Sequence, residues 1–313
     1  MRQFRKIIAE AWLFTQNNKK MILWYAFLPS LITTVSGMLY IVYQYYAFRS
    51  SPLFEDWEQS FAMILVSNVW QIINDNLFTL STLIIIAIIV AVLYILVPPL
   101  CQGAIIQLIA RKRNGQDVRT RDGIKYGLLN FLPIFEFSWV KKTFSFVSII
   151  TSVAFLWRNL GTGAVQAFSP VIIIIAIVAI IMTLLFTYTE FFIVIDNRRV
   201  IESIGKSVNL VITHLEATIL LSILMLIISI RILIQIFFVL IIPVIIVALI
   251  YVLASAMLPG IALVIAGIVG LIMLYIAAYI SSIVHVFADS VWTFTFLELT
   301  AEEEISAREK INA

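Results

Sequence analysis

One cysteine and two histidines are all that 313 residues offer for disulfide or soft-metal chemistry. Cys101 has no second thiol to pair with, and His and Cys together cannot assemble an ordinary four-ligand zinc site. No metal and no other cofactor is expected. Charge is nearly as scarce: Asp, Glu, Lys and Arg make up 12% of the chain, against 62% apolar residues and a mean hydropathy of +1.05. That much apolar surface cannot be hidden inside one water-soluble domain, so lipid is the solvent this composition calls for. The net charge of +3 is gathered beside apolar runs, a pattern that reads as membrane topology and excludes nucleic acid as a partner. One helical bundle with short loops uses up the length, leaving no room for a separate catalytic domain. A non-enzymatic protein is expected.

A run of about 20 apolar residues is needed to cross a hydrocarbon core of about 30 Å. Such runs lie near 22–46, 78–98, 138–158, 171–195, 217–241 and 259–286. They predict an all-α, polytopic transmembrane helical bundle of about six spans. The apolar stretch continues beyond 241, interrupted by Pro243 and by Pro259-Gly260. A bent or re-entrant segment at 242–257 would raise the count to seven. Residues 61–73 are too short to cross and precede Asn74-Asp75-Asn76; they read as an interfacial helix or as an early start of the second span.

Lysine and arginine set the orientation. Arg2, Arg5, Lys6, Lys19 and Lys20 precede the first span; Arg111, Lys112, Arg113, Arg119, Arg121 and Lys125 lie between the second and third; Arg198, Arg199 and Lys206 lie between the fourth and fifth. The alternate loops hold only Arg49 and Arg158. The basic side is therefore expected to be cytoplasmic, with both termini there, in the plasma membrane. Aromatic residues fit the same frame: Trp24 and Tyr25 pair with Tyr40 and Tyr43, and Trp139 pairs with Trp157. Lys141 and Lys142 are expected to snorkel to the inner interface. The charged N-terminal region is too long for a signal peptide, so it is expected to be retained.

Each basic segment also carries an amphipathic helix, near 2–20, 121–137 and 199–215. Their apolar faces are Phe4, Ile7, Ile8, Ala11 and Trp12; Ile124, Leu128, Phe131, Leu132 and Phe135; and Ile204, Val208, Val211, Ile212 and Leu215. Small residues precede bulky ones at Ala11-Trp12, Gly127-Leu128 and Ser207-Val208. Either the chain is three copies of an amphipathic helix plus a transmembrane hairpin, or interfacial physics imposes the same pattern without repetition. The phrases Ile201-Glu-Ser-Ile-Gly-Lys-Ser-Val-Asn-Leu and Asp122-Gly-Ile-Lys-Tyr-Gly-Leu-Leu-Asn-Phe-Leu-Pro133 resemble the entry helices of poorly characterised prokaryotic six-helix membrane proteins. These are similar to the membrane domain attached to some glycerophosphodiester phosphodiesterases. The resemblance follows helix pattern and span order along nearly the whole chain; the phosphodiesterase barrel is absent and no catalytic residue carries over. It implies a membrane bundle connected with lipids or envelope upkeep.

Ionisable groups inside a membrane are costly, and so are candidates for function. Arg231, with Gln235 on the same predicted helix, reads as a counter-ion for an anionic headgroup or transported anion, or as a side chain that snorkels outward or pairs with Asp75. Glu190, His285 and Asp289 form a second candidate ligand-binding group, because His285 and Asp289 are four apart on one helical face; pinning helices together is the competing role. Ala262, Ala266 and Gly270 read as a packing stripe, Pro98-Pro99 with Gly103 as a kink or helix end, and Gly161-Thr-Gly163 as a turn. The expected function is binding or organising membrane lipid against an anionic inner leaflet, with a protein partner or a second copy of the chain as further candidates. A small transporter using Arg231 is the alternative, and a membrane-embedded enzyme built on Glu190, His285 and Asp289 the third.

Overall fold

The computed structural model describes residues 2–49, 77–228, 237–238, 241–242, 244–246, 248–252 and 259–312. Residues 61–73 and the side chains of Asp75, Arg231, Gln235 and Pro243 fall outside them. Every regular element among the described residues is a helix. In chain order these are α1 (Arg2–Asn17), α2 (Lys19–Met21), a π-helical turn (Ile22–Ala26), α3 (Phe27–Arg49), α4 (Leu77–Arg113), a 3₁₀ turn (Thr120–Asp122), α5 (Gly123–Leu129), α6 (Phe131–Thr143), α7 (Phe146–Leu185), α8 (Thr189–Val194), α9 (Val200–Thr213), α10 (Leu215–Ile228) and α11 (Pro259–Asn312).

Four helical stretches are long and apolar enough to cross a membrane: Lys19–Ile41, Ile88–Arg113, Val147–Val194 and Val264–Glu303. A fifth is added if Val200–Thr213 and Leu215–Met225, which meet at 96°, count as one bent span. Their outward faces are dense in apolar side chains, such as Ile84, Ile88 and Ile89 on α4 and Ile173, Ile177 and Ile180 on α7, all exposed. Such faces suit lipid and mark a membrane-spanning, all-α protein.

The third stretch is folded back on itself. A straight 40-residue helix would separate its ends by about 60 Å, yet the Phe144 and Phe186 rings at either end of α7 lie 6.0 Å apart. The reversal is at Gly161, whose φ of 78° and ψ of 179° are open almost only to glycine. On the outgoing arm, Tyr40 Oη and Thr151 Oγ1 share a hydrogen bond of 2.8 Å, tying it to α3. The predicted turn at Gly161 is thus a single-residue reversal, and α7 extends well into what was read as loop.

One local geometry occurs three times. α1, α5 and α9 end at Asn18, Asn130 and His214, and the chain resumes at once as helix. Asn18 (φ −115°, ψ 43°) and His214 (φ −116°, ψ 42°) share a backbone conformation, with Asn130 (φ −100°, ψ 4°) close to it. In each, the carbonyl of the break residue accepts the amide four residues on, from Ile22, Ile134 and Thr218, so the break costs few hydrogen bonds. The residue seven before the break is small and buried (Ala11, Gly123, Ser207), and the residues four and seven after it are buried as well. This register pairs Ala11 and Ser207 with Gly123, where the sequence pattern had pointed to Gly127. The second break comes three residues after Gly127, against seven after Ala11 and Ser207.

The helices pack most densely where the basic segments lie. Ile7 and Ala11 of α1, Ile105 and Ile109 of α4, and Val291 and Phe294 of α11 form one cluster; Phe137, Tyr188, Phe192, Leu210 and Phe296 belong to a second. Arg113 clamps α4 to α11 through an ion pair to Glu298 at 2.7 Å and lies 4.2 Å above the Phe294 ring. α4 continues as one helix through Pro98 and Pro99 rather than ending there, and α11 continues unbroken from the apolar region to Asn312. The small-residue stripe on α11 does admit a neighbour: a Cβ on Gly270 would lie 2.7 Å from Ile246 Cδ1.

Candidate functional site

Where α3 begins, α4 passes its prolines, and α6–α7 and α7–α8 join, the helices stand apart. Together with the middle of α11 they line a half-open chamber of about 740 Å³. Pro29, Pro98, Phe144, Phe186 and Trp292 supply apolar wall. Hydroxyl side chains such as Ser30, Ser138 and Thr187 also line the chamber, and one wall gathers five chargeable or amide side chains from four helices: Gln102, Lys141, Glu190, His285 and Asp289.

Hydrogen bonds join four of these, and His285 abuts the fourth, Asp289. Lys141 Nζ donates to Glu190 Oε1 at 2.7 Å. Gln102 Nε2 donates both to Glu190 Oε2 at 3.0 Å and to Asp289 Oδ1 at 3.3 Å, bridging the two carboxylates. His285 Nδ1 lies 3.1 Å from Asp289 Oδ2, one turn apart on α11. The carboxylates are the sheltered members, with side chains 11% (Glu190) and 14% (Asp289) exposed; Lys141 at 59% and His285 at 40% face the chamber. The Glu190 carboxylate, 2.7 Å away, favours the charged form of the lysine. Lys141 is held as an ammonium.

The local fold explains each placement. Glu190 sits in the first turn of α8, where the helix dipole favours a negative charge. The α7–α8 junction is fixed by Ser207 of α9, whose Oγ donates to the Leu185 carbonyl at 2.6 Å and accepts the Tyr188 amide at 3.1 Å. Gln102 follows the two prolines by three residues, and about 16 Å of helix separates it from the basic end at Arg113. Tyr25, in the π-helical turn, lines the chamber and donates to the Thr120 carbonyl at 2.7 Å, anchoring that wall to the loop before α5.

Glu190, His285 and Asp289, grouped in the sequence by spacing and cost of burial, do meet in space. Lys141, expected to snorkel, is engaged by the Glu190 carboxylate across the chamber. Its neighbour Lys142 sits over the Tyr94 and Trp139 rings at 5.3 and 5.6 Å. Gln102 was missed altogether, although an amide within an apolar run, three residues past Pro98-Pro99, was a readable signal. Arg231 and Gln235 lie outside the described residues. Among the described residues, no three His, Cys, Asp or Glu side chains gather where they could hold a metal ion. Comparison with protein-family models, curated proteins and solved structures finds no match to this chain.

Proposed function

We propose that this is a non-enzymatic plasma-membrane protein that binds a membrane amphiphile, with the polar end of the ligand in the chamber and its apolar part along the chamber's walls. The observation that carries the reading is the 740 Å³ volume itself, in the range of small-molecule sites, with five neighbouring polar side chains grouped on a lining whose exposed surface is mainly apolar. Expelling water from such a space and filling it with an amphiphile gains on both surfaces. The chain forms three hairpins, each entered through a basic helix lying on the inner leaflet, with about six spans and both termini cytoplasmic. The threefold recurrence of the Asn18, Asn130 and His214 geometry supports this plan, as does the clustering of lysine and arginine beside these helices.

Two experiments test it. Wild-type protein purified in mild detergent is expected to carry an enriched amphiphile detectable by mass spectrometry of the extract. Thr33→Trp, which fills the chamber from an exposed lining position on α3, is expected to lose it at unchanged thermal stability. Equal, unselective lipid in both proteins would end the binding proposal. For topology, single cysteines in a Cys101→Ser background are expected to react with an impermeant maleimide only from inside at Gln116 and only from outside at Gly163. Labelling of both from one side rejects the arrangement.

A further inference from the structure

The chamber presents donors to a ligand, and its carboxylates stand behind them. Both Glu190 oxygens already accept, from Lys141 and from Gln102; Asp289 accepts from Gln102 through Oδ1, while its Oδ2 is buried 3.1 Å from His285 Nδ1 without a hydrogen bond. A cation could reach the Glu190 oxygens only by displacing a partner, and Asp289 Oδ2 is itself shut off from the chamber by burial; the two side chains are 11% and 14% exposed. Lys141 is the reverse case. An ammonium carries three N–H groups, one of them is directed at Glu190 at 2.7 Å, and 59% of its side chain stands open. His285, 40% exposed, faces the same space, and Lys142 lines its rim.

From this arrangement we infer that the ligand group held in the chamber is a phosphate, contacted by Lys141 and flanked by His285, with Glu190, Gln102 and Asp289 as positioning residues. The inference rests on the amphiphile reading and names the chemistry of its headgroup. Glu190 orients Lys141 as a carboxylate orients a ligand-bearing side chain, and Gln102 locks the two carboxylates at a fixed spacing. The ammonium is thereby pre-organised and does not have to be drawn from bulk water when the phosphate arrives. Gln102, Glu190 and Asp289 come from the returning helices of three different hairpins, and the residue four beyond each (Ile106, Val194 and Thr293) is fully buried. The donor platform is therefore set by the packing of the whole bundle rather than by one helix.

The test titrates detergent-solubilised full-length protein with three probes, read by native mass spectrometry and thermal shift: dioleoyl phosphatidylglycerol, dioleoylglycerol with the same chains and no phosphate, and inorganic phosphate. Phosphatidylglycerol is expected to bind about tenfold or more tightly than dioleoylglycerol, the scale of one charged hydrogen bond. Lys141→Met/Glu190→Gln, which removes the ammonium without stranding a carboxylate, is expected to erase that preference. Equal binding of the two lipids by the wild-type protein overturns the phosphate inference and leaves the amphiphile reading standing, whether or not the double variant folds. A preference that persists in a folded double variant overturns the role of Lys141. Stabilisation by inorganic phosphate with neither lipid bound keeps the phosphate site and defeats the amphiphile reading. No response to any probe defeats both.

Discussion

Replacing Gly127 by valine is expected to cost about 3 kcal/mol or to prevent assembly, the upper range for an overpacked contact. A Cβ at this position would lie 2.4 Å from the Leu100 carbonyl oxygen, and a backbone atom of α4 cannot rotate away as a side-chain tip can. α5 would have to lift off α4, and Leu100 is two residues from Gln102, so the floor of the chamber would move with it. A drop of many degrees in the aggregation midpoint, with loss of bound amphiphile, is the expected readout. Gly205 in α9 supplies the contrast: nothing lies within 4 Å of its missing Cβ, so Gly205→Ala is expected to be neutral or to stabilise by up to about 1 kcal/mol. If Gly127→Val behaves like Gly205→Ala, the close contact between α5 and α4 is wrong.

The second large effect is at the ion pair. Lys141→Met leaves the Glu190 carboxylate 11% exposed and without its 2.7 Å cationic partner, and breaking one side of a buried pair is far costlier than removing both. With Lys141 itself 59% exposed, the loss is expected near 2–3 kcal/mol rather than at the top of the buried range. Adding Glu190→Gln is expected to restore most of it, because the neutral amide has no charge to desolvate. A double-mutant cycle measured by chemical denaturation or thermal shift gives the coupling directly. Additivity of the two changes would mean that the pair is loose and that Lys141 is held by something else.

The membrane class and the sheltered polar group were legible before any coordinates, for reasons that can be traced. Long apolar runs have few alternatives to lipid, and a carboxylate or histidine inside one is expensive enough to be noticed, which is how Glu190, His285 and Asp289 were singled out. Small residues before bulky ones at Ala11, Gly127 and Ser207 were visible because helical periodicity makes an inward-facing position stand out. What the pattern did not disclose is where those helices break. Asn18, Asn130 and His214 are only modestly poor helix formers, and a break whose carbonyl still accepts a helical amide leaves little trace in composition. The partner of Lys141 was not legible because snorkelling treats a lysine in isolation, and the pairing depends on a carboxylate 49 positions away. The extension of α11 to Asn312 was missed because a polar segment after the last apolar run looks like a tail, although Glu302, Glu303 and Lys310 are all good helix formers.

α11 has mechanical consequences. It is a single helix of 54 residues with no proline after its first, about 81 Å from end to end. His285 and Asp289 are fixed to its middle; about two and a half turns further along Glu298 is gripped by Arg113, and about four turns along Glu303 lies 3.9 Å from His214 at the third helix break. About 21 Å of unbroken rod separates Asp289 from Glu303, so a tilt of roughly 10° pivoting at the chamber swings the far end by about 4 Å. Whatever widens or narrows the chamber against α11 is therefore read out at the protein's basic surface as a displacement of side-chain size. The same rod works in reverse as a crank, by which anything pressing on that surface can be felt between Asp289 and Gln102.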